Sequence, residues 1–332
     1  MRHDLGRRDF LRQVGAGVVG GMVGAAYAKE ATPSVATRPA IPSIADLPTR
    51  KLGRAGIQLP PLSFGSAAMG HAFYAQEPFE EVACAALDAG VRYFDTAVTY
   101  DVAEERLAPI LAKRRKEIIL AGKSRGSTRD DVLRDVEGSL KRMRVDYLDV
   151  GHLHNVGQYD LQAVLGKGGS LEGMLTAKER GLVRHVGCTG HLRPHQFIPV
   201  LETGHIEVIM VAMNFVDQFT YGFEEKVLPT ARRFECGIIC MKVYGGVTGG
   251  WDGYRKLRPG RLTADEHRQN AFDYALSIPG VATCVVGLKS LEELRLAIEA
   301  VRRYRPLEGA RRESVFARGE QLAAEWGFHL DK

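Results

Sequence analysis

Eight short apolar runs rich in β-branched residues recur along the chain, at Leu62–Gly65, Tyr93–Thr96, Ile118–Ala121, Tyr147–Leu153, Val183–Cys188, Val208–Met213, Gly237–Met241 and Thr283–Gly287. Amphipathic helical patterns separate them. Residues Pro78–Gly90 place Val82, Ala83, Ala86 and Leu87 on one side, with proline as opener and glycine as stop. Ser127–Met143 repeats the pattern with Val132, Val136, Leu140 and Met143. Eight β/α alternations predict an α/β fold, a (β/α)8 TIM barrel. A doubly wound sheet would need fewer strands and a credible glycine fingerprint. Arg50–Pro61 (RKLGRAGIQLPP) carries two strand-like pieces around Gly53 and Gly56, the signature of a hairpin expected to close the barrel bottom. The barrel is therefore expected over residues 49–332.

A glycine fingerprint does occur, but in the wrong place. Gly15-x-Gly17-x-x-Gly20 has the spacing of a dinucleotide site, yet no strand precedes it and no amphipathic helix follows. Upstream stands Gly6-Arg7-Arg8-Asp9-Phe10-Leu11-Arg12, and Val14–Ala28 is uncharged and ends Ala-Tyr-Ala. A charged region, an apolar core and a small-residue cleavage site make an export signal. The paired arginines match the twin-arginine type. Residues 1–28 are thus expected to engage the twin-arginine export machinery and to direct the chain to the periplasm. The uncharged run is shorter than the ~20 residues of a membrane span, so no stable span is expected. Residues 29–48, rich in Ala, Pro, Ser and Thr, read as a linker.

Removing that signal leaves +3 of the formal +5 charge, in a chain with 26% charged residues of both signs. So small an excess excludes a nucleic-acid surface. The five cysteines, Cys84, Cys188, Cys236, Cys240 and Cys284, are too few and odd in number for a disulfide framework. Cys236-x-x-x-Cys240 lacks the histidine or second cysteine pair of a zinc site, so no metal is expected.

In a barrel of this kind the chemistry sits at the C-terminal strand ends. Three consecutive ends bring Asp95 and Tyr100, Lys123, and His154 to one rim. Each has an ordinary reading: Asp95 as a loop cap, Tyr100 as a packed aromatic, Lys123 as a solvated cation, His154 as a core histidine. Together they suggest proton transfer.

The stretch FDTAVTYDVAEERLAPIL, with a tyrosine five residues after the aspartate, resembles the aldo-keto reductase family. LGRAGIQLPPLSFGS, Val145–Asp149, Leu153-His154, Val183–Gly187 and Ile278–Gly287 match further elements of that family in order. The resemblance implies an oxidoreductase that moves hydride between a nicotinamide cofactor and a small carbonyl or alcohol substrate, whether aldehyde, ketone or sugar. Tyr100 would be the general acid, Lys123 would stabilise its phenolate, Asp95 would hold Lys123, and His154 would orient the carbonyl. The cofactor would lie along Gly65 and Ser66, Thr189 and His191, Asn214, Lys242 and Tyr244, and Gly287, Lys289, Ser290 and Arg295. Lys289 and Arg295 favour NADP(H) over NAD(H).

Several positions depart from the family pattern. Thr189-Gly190-His191 stands where a Ser-Asn pair is usual after the fifth strand, and Met210 where a glutamine is usual. The carboxamide contacts then fall to Thr189, His191 or Asn214. Candidate substrate residues are His71, Phe73, Tyr74, Asn155, Trp251 and Tyr254, and the glycine-rich run Gly245–Gly253 is long enough to close over a cofactor. Two other functions fit the same barrel: a non-redox lyase or isomerase, and a cofactor-binding or redox-sensing protein with little catalysis.

Overall fold

A computed structural model describes residues 39–256 and 258–331. The export signal at 1–28 and the linker residues 29–38 lie outside the described residues. Eight parallel strands close into a barrel: β3 (Leu62–Gly65), β4 (Tyr93–Asp95), β5 (Ile119–Ser124), β6 (Leu148–Leu153), β7 (Val183–Gly190), β8 (Val208–Ala212), β9 (Gly237–Met241) and β10 (Val281–Gly287). Neighbours in sequence are neighbours in the barrel, and β10 closes it by pairing with β3 from Cys284↔Leu62 to Gly287↔Gly65. The helices between strands cover the outside; among them are α1 (Gln76–Asp88), α2 (Ala103–Arg114) and α3 (Arg129–Met143).

Local sequence explains the element ends. The Thr128 hydroxyl caps α3 by accepting from the Asp131 N–H at 3.2 Å, Asp130 and Asp131 fill its first turn, and Lys141 and Arg142 its last, each charge complementing the helix dipole. β5 and β7 run past the expected ends to Ser124 and Gly190. Lys123 and Thr189 therefore sit in strands, where ladder bonds fix their backbones.

The antiparallel pair β1 (Arg50–Lys51) and β2 (Gln58–Leu59) forms the expected hairpin. Leu52 and Leu59 are fully buried in the same cluster as the barrel-interior residues Tyr93, Val150, Met210 and Ile239, and so plug the bottom. A Cβ on Gly237 would meet Leu52 Cγ at 2.5 Å, so glycine at the start of β9 makes room for the plug. Burying two leucines this way contributes roughly 1.5–3 kcal/mol each.

The last part of the expected linker is packed rather than extended. Ile44 is buried, its N–H donates to Ala89 O at 2.7 Å, and Asp46 accepts from Arg302 at 2.6 and 3.0 Å. Ile41 and Leu47 pack against the same core, and three apolar residues in a Pro/Ser-rich run were too short a pattern to announce this docking. Among the described residues no helix is long and apolar enough to cross a membrane.

Candidate active site

The C-terminal end of the barrel gathers the four polar residues from the ends of the second, third and fourth barrel strands. Asp95 ends β4, Lys123 lies near the end of β5, and His154 follows β6 directly. Tyr100 sits in the turn between β4 and α2, which is tied to the loop before α1. The Val102 N–H donates to Gly70 O at 2.9 Å, and the Asp101 carboxylate accepts from the Ala72 N–H at 2.9 Å. A Cβ on Gly70 would lie 2.5 Å from Tyr100 O. Only glycine lets the two segments approach, which is how a residue far from the chemistry places Tyr100.

Lys123 is the hub. An ammonium has three N–H donors, and here they reach Asp95 Oδ2 at 2.6 Å, Thr96 O at 2.8 Å and the Tyr100 hydroxyl at 3.1 Å. Lys123 and Asp95 are both buried. Burial pushes the Lys123 amine down and the Asp95 carboxyl up from their usual ranges, against their mutual attraction. The other Asp95 oxygen, Oδ1, is buried with no protein partner.

His154 stands edge-on to Tyr100, with ring centroids 5.9 Å apart. Its Nδ1 lies 3.5 Å from the Thr99 hydroxyl. Burial first, and the Lys123 charge second, hold the imidazole well below its ordinary pKa. It is therefore neutral at pH 7, able to donate a hydrogen bond without carrying charge. Beneath it, the Tyr93 hydroxyl and His152 Nε2 pair at 3.1 Å inside the barrel, while His152 Nδ1 is buried without a partner.

A cleft runs outward from Asp95 and Tyr100 past Met210 and Met241 to Lys242, Tyr244, Gly287 and Lys289. Gly65 also lines it, whereas Ser66 is buried beside it with its hydroxyl unpartnered. At the outer end Ser290 caps α11 (Leu291–Arg302), accepting from the Glu293 N–H at 3.1 Å. Glu293 reaches one residue further back than a capping box would: its carboxylate accepts from the Lys289 N–H at 2.8 Å and pairs with Lys289 Nζ at 3.2 Å.

Several expected cofactor residues are placed otherwise. Arg295 is bound to Glu292 at 2.6 and 2.8 Å and to Glu299, so its charge is spent along its own helix. Asn214 donates to Asp217 Oδ2 at 2.6 Å and Lys242 O at 3.0 Å, and accepts from the Val216 and Asp217 N–H groups at 3.0 and 2.9 Å. Its amide is consumed by a turn, with both N–H donors and the oxygen engaged by protein groups. The Thr189 hydroxyl is buried and accepts from the Asn155 N–H at 3.4 Å. His191 has a buried, unpartnered Nδ1 and is pushed down to about 3 by burial and by Lys242. The run Gly245–Gly253 does not form one open loop, because Gly250–Arg255 is helical (α9).

Among the substrate candidates, Phe73 stacks on His71 at 5.3 Å and meets Tyr74 at 4.3 Å, and is exposed. The Tyr74 hydroxyl reaches Arg255 O at 3.5 Å, bridging the loop before α1 to α9. Asn155 takes a left-handed backbone next to His154, φ 58°. The Trp251 and Tyr254 side chains lie outside the described residues. Sequence reading missed Arg258, Arg268 and Glu293 as cleft residues. For Glu293 the signal was present, since Ser290-x-x-Glu293 is a capping-box spacing.

The model of the Aldo/keto reductase family matches residues 61–272, more than half of the chain. The chain belongs to the aldo/keto reductase family. It is 24% identical to the uncharacterised oxidoreductase YqkF of Bacillus subtilis (strain 168), over 76% of this chain and 90% of that one. It is 25% identical to a D-threo-aldose 1-dehydrogenase of a Pseudomonas species, over 57% and 67% of the two chains. An aldo-keto reductase from Bacillus halodurans, in its holo form, superposes with a TM-score of 0.66 at 22% identity, over 81% of this chain and 95% of that one. The family makes the protein an oxidoreductase on an eight-stranded barrel.

Proposed function

We propose that this protein is an NADP(H)-dependent carbonyl reductase or alcohol dehydrogenase acting on an aldehyde, ketone or sugar, with Tyr100 as its proton donor and acceptor. One observation carries the reading: the Lys123 ammonium, itself held by Asp95, donates to the Tyr100 hydroxyl at 3.1 Å at the inner end of the cleft. A phenol titrates near about 10, too high for ready exchange at neutral pH. A buried ammonium against it favours the phenolate and so eases proton release.

The residues present fit a nicotinamide cofactor. The cleft joins Tyr100 to the N-terminus of α11. Its inner end holds a buried acceptor, Asp95 Oδ1, that no protein group satisfies, suited to a donor on a bound molecule. Gly65 and Gly287 line it, and a Cβ on Gly287 would crowd Ala68 at 2.8 Å. Lys289, Arg258 and Arg268 supply positive charge at the outer end, which favours NADP(H). When bound, the reduced nicotinamide supplies the hydride. Tyr100 gives its proton to the carbonyl oxygen, Lys123 stabilises the phenolate left behind, and neutral His154 donates to the same oxygen and orients it.

The test is loss of NADPH absorbance with purified protein and a panel of aldehydes, ketones and sugars. Turnover of none of them, with NADPH bound, would favour a cofactor-binding role instead. We also propose export by the twin-arginine route to the periplasm, on the strength of Arg7-Arg8 and the uncharged run after them. Replacing both arginines by lysine should leave the protein in the cytoplasmic fraction.

A further inference from the structure

The segment after α12 (Gly309–Trp326) turns back onto the barrel mouth. Its His329 Nε2 lies 2.8 Å from Asp217 Oδ1, with both side chains almost fully buried, at 4% and 1% exposure. The other Asp217 oxygen accepts from Asn214 Nδ2 at 2.6 Å, and the same amide nitrogen donates to Lys242 O at 3.0 Å. With Asn214 Oδ1 taking two backbone N–H groups, the amide has one orientation. A continuous chain of hydrogen bonds thus links His329 to the backbone of Lys242.

Lys242 is a cleft residue in the left-handed region, φ 56°, a conformation that a non-glycine residue keeps only where its surroundings enforce it. Its carbonyl also accepts from the Gly245 N–H at 2.7 Å. The next part of this wall is held by the same segment. A Cβ on Gly245 would sit 2.7 Å from the Trp326 ring, and one on Gly246 would sit 3.4 Å from Leu330 Cδ2. Arg261 lies over Trp326 at 4.9 Å and its N–H donates to Gly246 O at 3.0 Å. The Leu330 N–H donates to the Tyr221 hydroxyl at 2.7 Å, fastening the segment to the loop after β8.

We propose that residues 326–331 buttress the Lys242–Gly246 wall of the cleft, and that His329 is the positioning residue through which they set cofactor affinity. The cofactor part rests on the proposed nicotinamide site; the buttress itself does not. Without the His329 imidazole, Asp217 keeps a buried carboxylate oxygen unsatisfied, Asn214 is drawn away from Lys242, and the wall loosens. His329 touches no reacting atom, so it acts on binding and leaves the chemical step alone.

Two readouts on the full chain test this. Amide hydrogen exchange of Gly245 should speed up at least ten-fold in His329→Ala while the barrel strands stay protected. NADPH titration by fluorescence should show a dissociation constant raised at least ten-fold in His329→Ala and returned to within three-fold of wild type in His329→Gln, which restores a donor, with kcat at saturating NADPH kept within two-fold. Leu330→Ala, a milder change, should raise the constant about three-fold, and serves if His329→Ala does not fold. Unchanged Gly245 exchange in a folded His329→Ala overturns the buttress; unchanged affinity in both variants, or a kcat loss at unchanged affinity, overturns the role of His329 in setting cofactor affinity. A wild-type chain that binds no nicotinamide cofactor, yet shows the exchange change, overturns the proposed function and keeps the buttress.

Discussion

The two sides of the barrel mouth are built differently. On the β4–β6 side, a buried Lys123–Asp95 hydrogen bond leads to a part-buried one that ends on the Tyr100 hydroxyl proposed to do the chemistry. On the β10–α11 side, the positive charges are tied to the protein's own carboxylates, Lys289 to Glu293 and Arg295 to Glu292 and Glu299. The first side is preorganised toward the cleft. The second must give up internal partners to hold a ligand phosphate. Catalysis should accordingly be sensitive to single changes on the first side, and binding more tolerant of changes on the second.

The sharpest break would come at Tyr100. Tyr100→Phe keeps the ring and its edge contact with His154 but removes the transferable proton, so kcat for carbonyl reduction should fall about 10²–10⁴-fold. NADPH affinity should stay near that of wild type. Full activity in this variant would remove Tyr100 from the mechanism.

Lys123→Met comes next, because it strikes stability as well as rate. It leaves Asp95 buried without its cation, a loss that typically costs about 3–5 kcal/mol. Burial already raises the Asp95 carboxyl even with Lys123 beside it, and without Lys123 the rise is larger. A carboxyl raised in the folded state binds more protons folded than unfolded, so stability falls as pH rises through that range. The variant should therefore recover stability on acidification toward the unfolded carboxyl range near about 4. Adding Asp95→Asn should restore melting temperature at neutral pH without restoring activity. Melting curves of both variants between pH 5 and 8 check this.

The same contrast explains what the sequence disclosed. Apolar, β-rich runs placed all eight barrel strands, because a strand buried on both faces reads as an apolar run wherever its partners lie. Asp95, Lys123 and His154 were legible because each stands at or just after such a run, and a strand end aims its side chain at the mouth. Arg295 and Asn214, expected along the cofactor, are bonded to protein groups instead, for the opposite reason. A charged or amide side chain can be captured by local partners, and identity alone does not say which partner wins. Arg295 found glutamates three residues before it and four after it; Asn214 closed a turn onto Asp217. The link from Asp217 to His329 spans 112 residues, beyond the reach of any local pattern.

Lys289→Ala sharpens the comparison from the binding side. Lys289 lines the outer end of the cleft while its Nζ contacts Glu293 and Arg258 O, so a phosphate there would have to displace or share these contacts. A charged hydrogen bond lost from such a site costs about 1.5–3 kcal/mol. The preference for NADPH over NADH should drop roughly ten-fold, measured as the ratio of dissociation constants. An equal loss for both cofactors would make Lys289 a cap residue.

The smallest effect is expected at Arg295, and it separates the structure from the sequence pattern most directly. By the family resemblance Arg295 should meet a 2′-phosphate, and Arg295→Ala should weaken NADPH much as Lys289→Ala does. In the structure its guanidinium is bound to Glu292 one turn back and Glu299 one turn on, and Arg295 does not line the cleft, whereas Leu296 beside it does. Ion pairs of this exposed i,i+3 and i,i+4 kind contribute little to stability and are screened by salt. Arg295→Ala should thus change the NADPH dissociation constant by less than about two-fold. NADH binding should be untouched. A ten-fold loss confined to NADPH would mean that Arg295 leaves both glutamates when the cofactor binds, and that the β10–α11 side rearranges around its ligand.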